Sequence, residues 1–139
     1  MTLCIHTEPT WDQQALLTAD AARRNRILAA LGPLGRRSPA VGEKTLLRYY
    51  QYLLTHLALP FTAFYPAPTS ALEQVSHRLT VVELLDPVRY IYDEFDGLYC
   101  KTRHARFETN LPLVELKIPE DNPGSQLIED YWFWFWYWR

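Results

Sequence analysis

The stretch that decides the fold is Gly97-Leu98-Tyr99-Cys100-Lys101-Thr102-Arg103-His104-Ala105-Arg106-Phe107-Glu108-Thr109. It reads as two short strands, Gly97 to Arg103 and Ala105 to Thr109, joined by a tight turn around His104. Phe107 would face one side and Glu108 the other. The next segment, Leu111-Pro112-Leu113-Val114-Glu115-Leu116, suits a closing turn and a last short strand, with the proline at a bend.

Working back from this hairpin, more β-prone runs appear. Phe61 to Tyr65 is one and His77 to Leu85 another. Arg89 to Tyr92 is a third. Pro66 to Ser70 carries two prolines and reads as a turn, and Asp86-Pro87 breaks the second run. Four or five short strands leave two costly open edges unless they close. The expectation is an SH3-like antiparallel barrel.

Upstream of Pro60 the period is helical. Leu46, Leu47, Tyr50, Leu53, Leu54 and Leu57 recur at helical spacing, which predicts a helix from Glu43 or Lys44 to Leu57. Thr10, with Gln13 three residues on, marks an earlier start. That helix would run from Trp11 to Leu31 and stop at Gly32-Pro33, with a loop from Arg36 to Gly42. At the other end, a helix from Gly124 carries Tyr131-Trp132-Phe133-Trp134-Phe135-Trp136-Tyr137-Trp138. On a helix these rings point in all directions, so some must dock on the domain and others form a sticky patch. The class is therefore α+β. A helical extension (1–44) packs with a helix, barrel and aromatic C-terminal helix (45–139) as one compact domain.

The bulk numbers exclude several functions. The chain has 139 residues, 48% of them hydrophobic, with a net charge of -2. It is too apolar to be disordered and too neutral to be a general nucleic-acid binder. Residues 1–44 carry six basic against four acidic groups, and residues 45–139 eight against twelve. A charged partner of the second part is thus a cation. Cys4 and Cys100 form no CxxC pair. Neither a signal peptide nor a membrane span is visible, so the expected location is cytoplasmic, with no membrane partner. His6, His56, His77 and His104 stand singly, without zinc-site spacing. No GxSxG, phosphate loop or metal-protease motif occurs, and Cys100 sits on a strand, so the chain reads as non-enzymatic.

The acidic groups cluster. Asp93-Glu94-Phe95-Asp96-Gly97, Glu120-Asp121 and Glu129-Asp130 are oxygen donors of the kind calcium takes. By themselves they fit either a calcium loop or a solvated acidic turn. They are not an EF-hand: with Gly97 at the sixth position, Tyr92 would be first and Arg103 twelfth.

Three stretches carry a resemblance. They are Tyr49-Tyr50-Gln51-Tyr52-Leu53 followed by Leu59-Pro60-Phe61-Thr62-Ala63; Gly97-Leu98-Tyr99-Cys100 through Leu111-Pro112-Leu113-Val114-Glu115-Leu116; and Gln126-Leu127-Ile128-Glu129-Asp130-Tyr131-Trp132. In order and spacing the chain resembles the small bacterial, cyanobacterial-type (CcbP-like) calcium-binding protein family. The resemblance implies a helix packed on a barrel-like sheet and low-affinity binding of calcium, or another divalent cation, by surface carboxylates. The metal candidates are Asp93, Glu94, Asp96, Glu120, Asp121, Glu129 and Asp130. The chain is less acidic overall than a calcium buffer suggests. The alternative is an interaction module, a homodimer or a protein partner's dock, using Trp132, Trp134, Trp136 and Trp138.

Overall fold

A computed structural model describes residues 11–68, 74–88 and 95–139. Helix α1 spans Trp11–Leu31, a single turn α2 spans Leu34–Arg37 and α3 spans Glu43–His56. Four strands follow: β1 (Phe61–Pro68), β2 (Gln74–Leu84), β3 (Tyr99–His104) and β4 (Phe107–Pro112). A 3-10 turn at Leu113–Glu115 leads to α4, Ser125–Tyr137. The Thr10 cap and the Arg89–Tyr92 strand expected from sequence lie outside the described residues.

The helices start and stop for local reasons. At the C-terminus of α1, Gly32 takes φ +60°, and its N–H donates to the Leu28 carbonyl at 3.0 Å. This is the left-handed stop that glycine permits. The Gly42 N–H donates to Thr45 Oγ1 at 2.8 Å, satisfying a donor at the start of α3. Thr45 Oγ1 in turn donates to the Ala40 carbonyl. The α2 turn falls across the Gly32-Pro33-Gly35 stop and the start of the expected loop. Pro33 stands just before it with helical dihedrals, φ -58° and ψ -28°, so the stop signal for α1 also seeds one new turn.

The sheet is antiparallel in the order β1-β2-β3-β4. This α+β arrangement has a hairpin in the expected region, with its turn at Ala105-Arg106 and His104 still paired with Phe107, but among the described residues the expected barrel closure is not there. Among the described residues the sheet is an open four-stranded ladder. One bridge, Phe64 with Lys117, returns the chain after the 3-10 turn to the free side of β1. Two more boundaries differ. β1 runs through Pro66 and Pro68, paired with Ser76 and Gln74, where a turn was expected. β4 runs through Leu111 and Pro112, where a bend was expected. Both are edge strands of the ladder, where a proline's missing N–H forfeits little pairing.

The core joins all layers. Ile27, Ala30 and Leu31 from α1, Leu46, Tyr49 and Leu53 from α3, Ala63, Val81 and Cys100 from the sheet, and Tyr131, Trp134 and Phe135 from α4 form one buried cluster. The Tyr49 ring lies 4.9 Å from Trp134 and 5.3 Å from Tyr131, within the range of favourable aromatic pairs. Among the described residues no helix is long and apolar enough to cross a membrane.

Candidate functional site

Helix α4 distributes its aromatics by helical geometry. Tyr131, Trp134 and Phe135 are buried, whereas Trp132 and Trp136 keep 42% and 45% of their surface. Residues three and four apart share a face, so the buried set is one stripe and the exposed pair another. Trp134 Nε1 donates to the Pro39 carbonyl at 2.7 Å. That satisfies its polar tip inside the core and removes it from the candidate interface residues. Trp138 is half-buried, with the Arg24 guanidinium 5.9 Å over its ring.

The same helix carries three neighbours with different fates. Tyr131 points inward, and its Oη accepts the Leu98 N–H at 2.8 Å. Asp130 is 3% exposed. Its Oδ2 accepts from Arg26 Nε at 2.7 Å and its Oδ1 from Arg23 Nε at 3.3 Å. The hydrogen bond to Asp130 holds the Arg26 guanidinium above its ordinary pKa. Both oxygens of Asp130 are thus committed to α1, and Asp130 ties two helices together. Glu129 is exposed and turns the other way.

Glu129 lines a cavity of about 800 Å3 between β1, the 3-10 turn and α4. Glu120 and Glu115 line it too, with Arg23 and Lys117 as counter-charges and Trp132 and Phe133 as an aromatic wall. The loop before α4 is locally braced. Asn122 Oδ1 accepts the Gly124 N–H at 2.7 Å, and the Ser125 N–H donates to the Asn122 carbonyl at 3.0 Å. Asp121 is exposed on this loop and does not line the cavity.

The other acidic turn sits elsewhere. Asp96 Oδ2 accepts the Tyr99 hydroxyl at 2.5 Å. Gly97 takes φ +70°, and a Cβ there would meet Tyr131 Oη at 2.5 Å and Phe135 Cε1 at 2.7 Å. The turn therefore docks on α4 through Tyr131 and Phe135, not through Glu129 or Asp130. Asp93 and Glu94 lie outside the described residues. Among the described residues Glu120 shares a cavity with Glu129, and Asp96 is hydrogen-bonded to Tyr99 on the adjoining strand.

Glu115 was missed as a site residue. Its signal is faint, because a lone carboxylate in an apolar run gains meaning only when the 3-10 turn brings it to the cavity that Glu120 also lines. Among the described residues no three His, Cys, Asp or Glu side chains gather closely enough to hold a metal ion. The donors fit calcium in kind, being all oxygen, and they surround one cavity without converging. Cys100 lines neither this cavity nor a surface. Burial pushes its thiol up to about 12, which leaves it protonated and inert.

Against known proteins, residues 41–135 match a family model, Calci_bind_CcbP, described as calcium binding. The crystal structure of CcbP from Anabaena matches with a TM-score of 0.59 at 15% identity, covering 82% of this chain and 89% of that one. At that identity the likeness is one of fold. No curated protein matched the sequence.

Proposed function

We propose a calcium-binding role from one premise: the chain belongs to the CcbP-type calcium-binding family. The reading in detail is a non-enzymatic, low-affinity site for calcium or a similar divalent cation, built from exposed carboxylates. The observation that carries it is the shared cavity of Glu115, Glu120 and Glu129. Hard cations take carboxylate oxygen, and calcium tolerates irregular and flexible geometry. Low affinity follows from the spread of the donors, which must be drawn together at an entropic cost. Arg23 and Lys117 at the same cavity weaken its attraction for a cation further. Asp93, Glu94, Asp96 and Asp121 remain candidate donors. Asp130 supports the site by anchoring the helix that carries Glu129.

An alternative reading, a docking surface for a second copy or another protein, is favoured by the half-exposed pair Trp132 and Trp136. Aromatic side chains supply much of the energy of interfaces.

Calorimetric titration of metal-stripped protein with calcium, using magnesium as control, separates these readings. The expected result is saturable heat with calcium, weakened about tenfold when Glu120→Gln and Glu129→Gln are combined, since each substitution removes a charged ligand. Asp96→Asn measures the share of the second turn. Absence of saturable heat up to about 1 mM calcium sinks the cation site and leaves the aromatic surface as the better reading.

A further inference from the structure

Two histidines that stand alone in the sequence meet on the sheet. Thr80 pairs with Arg103 across β2 and β3. Side chains alternate along a strand, so His104 emerges on the same face as Leu79 and, one repeat further, His77. The two imidazole rings are 6.1 Å apart, centroid to centroid, and inclined at 80°. Both residues are exposed.

His104 is already oriented. Its Nδ1 lies 2.8 Å from the Arg78 carbonyl oxygen. A carbonyl only accepts, so Nδ1 carries the proton and donates it. In the neutral ring the lone pair is then on Nε2, turned away from the backbone. Metal-bound histidines are commonly fixed in this way, with the second ring nitrogen held by a carbonyl. We propose that His77 and His104 form a two-histidine site for a divalent transition-metal ion of the zinc, copper and nickel group.

Geometry and chemistry both favour that ligand. Two imidazoles sharing an ion at about 2.0–2.1 Å from each nitrogen hold their ring centroids about 5 Å apart. Rotation of the exposed His77 side chain has to close the difference of about 1 Å, and the β2–β3 ladder holds the backbones up to Thr80 and Arg103. Nitrogen donors select borderline metals and leave calcium to the carboxylates. Water completes the coordination. The nearby charge is partly offset, because Arg103 Nη2 is held by Glu108 Oε2 at 2.7 Å. Arg78 and Arg106 remain as cations near the site and limit its affinity.

The site is independent of the calcium reading, and its test uses different residues. Titrating the full chain with Zn2+ should give a saturable event. His104→Ala and His77→Ala should each weaken it about tenfold or more, while His56→Ala leaves it unchanged. All of these side chains are exposed, and an unchanged circular-dichroism spectrum establishes that each variant is folded. The ring proton resonances of His77 and His104 should shift together as Zn2+ is added. No saturable zinc heat overturns the proposal. So does zinc binding of unchanged affinity in the double variant His77→Ala/His104→Ala.

Discussion

At the scale of single residues, Gly97 is the most constrained position next to an acidic cluster. Its φ of +70° excludes most side chains. A methyl group there would also press on Tyr131 Oη and Phe135, two fully buried residues. Gly97→Ala should cost about 2–4 kcal/mol, combining the left-handed strain with overpacking. Urea denaturation checks this, and a loss below about 0.5 kcal/mol, the level of an ordinary surface change, contradicts the docking of the turn on α4. Gly97 was visible in sequence as a turn residue. What it turns against was not, because Tyr131 is far along the chain. The same holds for Asp130. Asp130 and Glu129 are helical neighbours, which point about 100° apart. One faces the arginines of α1 and the other faces the cavity.

At the scale of elements, α4 separates structural from exposed rings. Trp134 is fully buried and hydrogen-bonded. Trp134→Ala should therefore destabilise the fold by about 3–5 kcal/mol. Trp136→Ala, at a half-exposed site over which Arg139 lies at 5.5 Å, should cost less, about 1–2 kcal/mol. Thermal unfolding of the two variants measures the difference, and equal losses would refute the assignment of faces. The sequence made the helix and its aromatic excess plain. It could not rank eight consecutive rings, since the ranking depends on where α1 and α3 cross the helix. The strands show the same division. Period and turn residues located the hairpin, whereas Pro66, Pro68 and Pro112 were misread as breaks. A proline breaks a central strand and is tolerated at an edge, and which strands are edges is a property of the whole sheet. The meeting of the His77 and His104 rings on neighbouring strands was hidden for that reason too.

At the scale of the whole molecule, three buried protons set an alkaline limit. Burial raises the pKa of Cys100 to about 12, and it raises Tyr49 and Tyr131 still further. In the unfolded chain these groups ionise at about 8.5 and 10. The folded state holds its protons more tightly, so the stability they contribute is whole below pH ~8.5 and falls as the pH rises towards the folded values. Urea midpoints should be level between pH 7 and 8 and drop clearly by pH ~10.5. Phenolate absorbance should show the two buried tyrosines titrating only on unfolding. A flat profile to pH ~11 would contradict the burial of these groups. The overall α+β plan was legible because period and composition are local signals. The open sheet and the cavity were not, because both are set by which distant segments meet. One meeting in particular, the pair of arginines on α1 gripping Asp130 on α4, bears on how the chain can be divided. The matched stretch begins at residue 41, after α1 has ended. Yet Ile27 and Leu31 are fully enclosed in the common core, and Asp130 has its counter-charges on that same helix. Cutting the chain where the likeness begins would open an apolar trench and strand a carboxylate. The edge of the family match thus falls between surfaces that are packed against each other.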